Sequence, residues 1–246
     1  MSAPESVSDP DYGFLPPDQV KVEVLRFGTE REPVLVIDEV MGRPEQLIDH
    51  AARHAGFSPL KPAENFYPGL RAPAPADYVQ GLYRTIAPIL ARAFGHEANS
   101  PASITCALSM VTLPPQQLNL AQRLPHYDAS EAREIAVLHY LCDATHGGTA
   151  FYRHRATGFE TIDETRLERY LAVLNAELKR HGPPPARYVS GSTPVHEEIG
   201  RVEARMNRLI AYRGRTLHSG LIPNPQGLSS DPLTGRLTAN TFVTIG

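Results

Sequence analysis

The chain has 246 residues, a formal net charge of −3, 41% hydrophobic residues and 21% charged residues. That balance fits a globular protein and excludes a disordered or fibrous one. A charge so near zero supplies no field to recruit nucleic acid or an anionic membrane. A chain this long buries a sizeable core without disulfides, and its two cysteines, Cys106 and Cys142, lie in apolar runs that suit small buried thiols.

Residues 1–19 are rich in Pro, Ser and Asp and are expected to form a flexible arm, followed by a single domain over 20–246. The opening lacks a basic stretch followed by an apolar one, so no signal peptide is expected. No apolar run approaches the ~18–20 residues of a membrane helix, and the expected location is cytoplasmic. KVEVLRF (Lys21–Phe27) alternates and PVLVIDEV (Pro33–Val40) is a β-branched apolar run; both predict strands. Pro44 opens a helical pattern through Leu47, Ile48, Ala51 and Ala52, ending before Gly56. A proline-rich stretch from Pro59 to Pro75 leads to a second helix, with Asp77 as its expected N-cap and an apolar face running from Val79 through Leu82, Ile86 and Leu90 to Phe94.

Beyond Ala102 the pattern becomes mainly β. Strands are predicted at 103–113, 133–142, 149–154, 208–213 and 236–245, with a short one at 125–128. A helical insertion over about 155–206, with patterns at 164–181 and 195–206, is a candidate lid, since long excursions in compact domains often carry function. The expected class is α+β, mainly β: a sandwich or jelly roll with N-terminal helices packed outside it.

Chemistry concentrates in Pro125-His126-Tyr127-Asp128 and, much later, Leu217-His218-Ser219. Along a strand, residues i and i+2 share a face, so His126 and Asp128 aim together. His218 from a distant strand completes a triangle of two imidazoles and one carboxylate. That set leaves positions open on non-haem iron(II) for a bidentate cosubstrate and dioxygen. A His-x-Asp tripeptide also occurs as a turn or a hydrogen-bonded pair. In the last strand Arg236 and Thr238 share a face; a buried guanidinium needs a partner, and its fork matches a carboxylate such as C5 of 2-oxoglutarate. An internal salt bridge or a surface position at the strand's start answers the same residues. Tyr140 points with Ala136 and Leu138, where its hydroxyl either reaches that carboxylate or packs as a core tyrosine.

His50 and His54 have metal spacing on a helix but lack the glutamate of a zinc-protease motif, which favours a solvated face. His139 points opposite to Tyr140, while His146 and His154 flank the Gly147-Gly148 turn near the expected pocket mouth. Arg201, Arg205, Arg208, Arg213 and Arg215 make a locally basic stretch, read either as a solvated face paired with Glu197, Glu198 and Glu203 or as a dock for an acidic substrate.

The order His-x-Asp, Tyr-Leu, Gly-Gly-Thr-x-Phe, His and Arg-x-Thr resembles the iron(II)/2-oxoglutarate-dependent oxygenase superfamily. PVLVIDEVMGRPEQLIDHA is similar to the opening strand and helix of its prolyl 4-hydroxylase-like branch, and a bacterial family of unknown function within that branch is suspected. The resemblance covers about 33–56 and 103–246. It implies a double-stranded β-helix, with His126, Asp128 and His218 as iron ligands and Arg236, Thr238 and Tyr140 binding 2-oxoglutarate. The cofactors implied are Fe(II), 2-oxoglutarate and O2, and the activity a dioxygenase, with hydroxylation of an amino acid, peptide or small natural product favoured over halogenation because Asp128 is present. Two departures stand out: the His218–Arg236 stretch is long for the branch, and Arg236 stands where many prolyl hydroxylases have lysine. A cupin-like metal enzyme that does not use 2-oxoglutarate and a non-catalytic metal- or metabolite-binding barrel are the alternatives. These patterns carry no signal for oligomeric state.

Overall fold

The computed structural model describes residues 12–59, 67–95 and 103–245. In chain order the elements are β1 (Val22–Arg26), β2 (Pro33–Asp38), α1 (Pro44–Arg53), β3 (Ser58–Pro59), β4 (Gly69–Pro73), α2 (Ala76–Phe94), β5 (Ser103–Val111), β6 (Glu134–Tyr140), β7 (Gly148–His154), α3 (Glu164–His181), β8 (His196–Glu203), β9 (Arg208–Arg213), β10 (His218–Leu221) and β11 (Leu237–Thr244). An eight-stranded sheet runs β1-β2-β9-β6-β11-β5-β4-β3, and a three-stranded sheet runs β10-β7-β8. Every pairing is antiparallel.

Strand periodicity sorts the side chains into layers. In β2, Leu35 and Ile37 enter one core while Val34 and Val36 enter another. This sheet is covered on both faces, which is why β2 reads as an uninterrupted apolar run. The first core holds Leu47 and Ala51 of α1 and Tyr78, Leu82, Ile86, Leu90 and Phe94 of α2. The second lies between the sheets, where Ala136, Tyr140, Ile210 and Tyr212 meet Phe151 and Val202. A third packs Tyr170 and Leu174 of α3 on the outer face of the small sheet, against Ala150, Tyr152, Leu217 and Leu221. The order is therefore helices, large sheet, inner space, small sheet, helix.

Several expectations change. Residues 1–11 of the predicted arm lie outside the described residues, but Tyr12 is buried edge-on to Tyr78, and Phe14 bridges Met41, so the chain is already docked by position 12. Helix α2 begins after Pro75 rather than after an Asp77 cap, with Asp77 inside its first turn. Helix α3 matches its prediction and is capped by Asp163, which accepts from the Thr165 and Arg166 amides at 3.0 Å each. The second helical pattern of the insertion, 195–206, is instead β8. Ile199 and Val202 have helical spacing, but β7 requires a partner on that edge, and Gly200 leaves room for the Phe27 ring. The proline-rich stretch contains β3 and β4. The predicted strand at 125–128 reduces to one bridge, between His126 and His218. No helix among the described residues is long and apolar enough to cross a membrane.

Candidate metal centre

His126 and His218 face each other across that bridge and exchange both backbone hydrogen bonds, at 2.9 and 2.8 Å. Their rings lie 4.4 Å apart between centroids. Two residues on, the Asp128 amide donates to the Gly214 carbonyl at 2.7 Å, fixing its direction from the end of β9. The result places one ligand atom from each of His126, Asp128 and His218 within 4.8 Å of the others. His218 Nε2 is 3.5 Å from Asp128 Oδ2, and His126 Nε2 is 3.9 Å from Asp128 Oδ1. Among the described residues this is the one cluster of three or more such side chains that close.

The donor set fits a divalent cation. His218 Nδ1 lies 2.9 Å from the Thr216 carbonyl, which only accepts, so Nδ1 carries the proton and Nε2 keeps its lone pair facing the site. Burial lowers the His218 pKa to about 4. Desolvation and then the neighbouring His218 ring lower His126 to about 4, although its side chain is about half exposed. Both rings are thus neutral and able to offer a lone pair to a cation. Burial raises the Asp128 carboxyl to about 6, partly opposed by His126 and Arg71, which is the strain that a bound cation would relieve.

The cosubstrate candidates surround the same space. Arg236 is 5% exposed. It donates to the His146 carbonyl at 3.2 Å and the Gly148 carbonyl at 3.1 Å, and its guanidinium lies 5.8 Å from the Tyr140 ring centroid. No carboxylate among the described residues pairs with it, so the internal salt bridge weighed from sequence is absent there. A methyl group placed on Gly220, two residues beyond His218 on β10, would lie 3.8 Å from Arg236 Nη2. The arginine therefore stands beside the face of β10 that carries His218. Tyr140 shares a hydrogen bond of 2.7 Å with Thr149, joining the two sheets, and Thr238 donates to Asn240 at 2.7 Å.

Other side chains were not foreseen. Tyr212 packs on His218, with centroids 4.8 Å apart. Arg71 of β4 pairs with Ser109 of β5, which pairs with Thr238 of β11, which pairs with Tyr140 of β6, so all four stand in one row on one face. No sequence pattern flagged Arg71, because its strand sits in a stretch that reads as proline-rich loop. Tyr212 was visible only as an alternate position of a predicted strand.

The remaining histidines are held elsewhere. His139 bonds Tyr78 and Asn207 on the helix side, and His154 bonds Glu177 of α3. The His146 ring bonds Asp143, while its carbonyl serves Arg236. The His50 and His54 rings neighbour each other on α1. The basic stretch is internally paired, though with partners only partly foreseen: Arg201 with Glu198, Arg205 and Arg208 with Asp38, and Arg213 and Arg215 with Glu32.

Among solved structures the fold is similar to that of SnoK, a non-haem alpha-ketoglutarate-dependent carbocyclase from nogalamycin biosynthesis, with a TM-score of 0.50 and 15% identity over 88% of this chain and 81% of that one. SnoN, an epimerase of the same biosynthesis, aligns with a TM-score of 0.46 and 15% identity over 87% and 79% of the two chains. HygX from Streptomyces hygroscopicus, solved with nickel, 2-oxoglutarate and hygromycin B, aligns with a TM-score of 0.45 and 14% identity over 87% and 84%. No curated protein matches the sequence. The model of a family of unknown function, DUF6445, matches residues 18–243, and the chain belongs to that family.

Proposed function

We propose that this protein is an iron(II)- and 2-oxoglutarate-dependent oxygenase built on a double-stranded β-helix. The observation that carries the reading is the convergence of His126, Asp128 and His218, two neutral imidazoles and a carboxylate, between the two sheets. The likeness to SnoK supports the fold, and what SnoK is described as doing favours a 2-oxoglutarate-dependent reaction here too. The segment PVLVIDEVMGRPEQLIDHA, folded as β2 and α1, favours the prolyl 4-hydroxylase-like branch.

In this reading His126, Asp128 and His218 hold the iron. Arg236 receives the C5 carboxylate of 2-oxoglutarate in bidentate fashion. Tyr140 donates its hydroxyl proton to the same carboxylate while accepting one from Thr149, and Thr238 adds a hydroxyl from the same row by turning its proton from Asn240 to the carboxylate. Bound iron supplies oxidation of a substrate C–H bond, coupled to conversion of 2-oxoglutarate and dioxygen into succinate and carbon dioxide. The chain orients the cosubstrate between β10 and β11, and the apolar ring of Tyr212 against His218 excludes water from one side of the ligand set. The substrate class is a small molecule, amino acid or peptide, and the favoured outcome is hydroxylation.

Anaerobic Fe(II)-loaded protein titrated with 2-oxoglutarate tests this directly, through the weak visible charge-transfer band of the chelate. The band is expected in the wild type and absent in His126→Ala and Arg236→Ala. Folded, iron-loaded wild type that shows no band removes 2-oxoglutarate from the account and leaves a cupin-like metal enzyme.

A further inference from the structure

Arg71 is a second cation directed at the candidate centre that the metal and cosubstrate leave unmatched. It shares its row with Ser109, Thr238 and Tyr140. Among the described residues its one hydrogen bond runs from Nε to Ser109 at 3.2 Å, and no carboxylate there pairs with it. The Tyr67 ring lies 5.7 Å from its guanidinium carbon. Burial pulls its pKa below the usual arginine value, while Tyr67, Cys106 and Asp128 act in the opposite sense, which places it within electrostatic reach of the metal ligand.

Charge balance then decides what Arg71 faces, given the functional reading above. The two positive charges of iron and the one of Arg236 match the one negative charge of Asp128 and the two of 2-oxoglutarate. With the site loaded, Arg71 has no counter-charge among the described residues, and a half-buried cation is stabilised by a ligand's charge. It also stands two strands from Thr238, roughly 10 Å along the sheet, on the side away from Tyr140 and therefore away from the proposed C5 clamp. Its Nε is engaged, and among the described residues its terminal nitrogens have no hydrogen-bond partner and can meet a planar anion.

We propose that Arg71 binds a carboxylate of the substrate, so that the substrate class is an organic acid, such as an amino acid or N-acyl amino acid, rather than a neutral or cationic compound.

The test uses Ni(II)-loaded protein saturated with 2-oxoglutarate. Matched acid–amide pairs are titrated calorimetrically: L-leucine and L-leucinamide, N-acetyl-L-leucine and its amide, and 3-phenylpropionate and 3-phenylpropionamide. At least one acid is expected to bind about tenfold or more tightly than its amide. That preference should disappear in Arg71→Met and return in part in Arg71→Lys, while the 2-oxoglutarate affinity of Arg71→Met stays within about threefold of wild type. Equal binding of acid and amide in every pair, or no binding of any acid, overturns the proposal. So does an Arg71→Met variant that loses 2-oxoglutarate as Arg236→Met does, since Arg71 would then be a cosubstrate residue. Failure of the wild type to bind 2-oxoglutarate sinks the functional reading instead, and acid–amide preference on the Ni(II) protein alone still decides the role of Arg71.

Discussion

Arg153 is half-buried and Arg236 is buried, and their surroundings are opposite. Arg153 donates to Glu160 through Nε at 2.8 Å and to Glu197 at 2.9 Å. Glu160, 3% exposed, also accepts from the amides of Thr29 and Glu30 at 2.9 Å each. Nearby, Arg166 donates to Glu30 at 2.7 Å. Every charge in that network is answered inside the protein, and the network clamps the β1–β2 turn against β7. Among the described residues Arg236 meets carbonyl oxygens and the Tyr140 ring, and Arg71 a hydroxyl and the Tyr67 ring, with no carboxylate at either. A closed network holds structure together, whereas an open one is completed by a ligand's charge.

The sharpest way to break this comparison is at the open site. Replacing His218 with Ala should weaken Ni(II) or Mn(II) binding by more than about a hundredfold, since even loss of an outer partner costs 10–100-fold. Titration calorimetry checks this, and metal affinity that survives would remove His218 from the centre. At the closed network, Glu160→Ala leaves Arg153 half paired and two amides without an acceptor. It should cost about 3 kcal/mol of unfolding free energy, read in urea, with metal affinity unchanged. A stable Glu160→Ala protein would show that the network is ornamental.

A third test separates burial from function. Desolvation lowers His139 to about 4 and His196 to about 3, so both are neutral in the fold and take a proton near 6.5 when unfolded. Below pH 6.5 the unfolded chain binds more protons, so their contribution is complete above that value and is lost as pH falls toward 4. Asp128, raised to about 6, works the other way below that pH in metal-free protein. His139 and His196 together account for a loss on the order of 4 kcal/mol between pH 7 and 5. In metal-free protein His126 and His218, also lowered to about 4, act in the same direction and outweigh the opposing effect of Asp128. His139→Gln should flatten the slope, because Gln keeps partners for Tyr78 and Asn207 without titrating; an unchanged slope would contradict the assignment. The smallest effect is the most diagnostic: Arg236→Met should shift the stability of metal-free protein by no more than about 1 kcal/mol. A large loss in thermal melts would make Arg236 a structural residue.

Much of the molecule was legible before any fold was seen. β2, α1, α2, β6, β9 and α3 follow from apolar periodicity, while the Asp163 cap of α3 emerged only in the fold. His126 and Asp128 were legible as a pair, since two residues apart on extended chain share a face. Their closeness to His218, 90 residues later, came from motif order rather than from periodicity. What misled the reading was local: proline density hid β4, and the helical spacing of Ile199 and Val202 hid β8.

The amino-acid sequence by itself determined that His126, Asp128 and His218 offer a metal donor set and which runs must be buried, because periodicity and donor type are properties of the chain. Only the tertiary structure decided which charges are answered. Arg153 and Arg71 are both arginines in strands, and their sequence neighbourhoods do not distinguish them. What separates them is the Glu197 carboxylate, which the β7–β8 pairing brings to Arg153 from 44 residues away, and the absence of any described carboxylate partner for Arg71. That difference is set by long-range strand pairing, which no local pattern encodes.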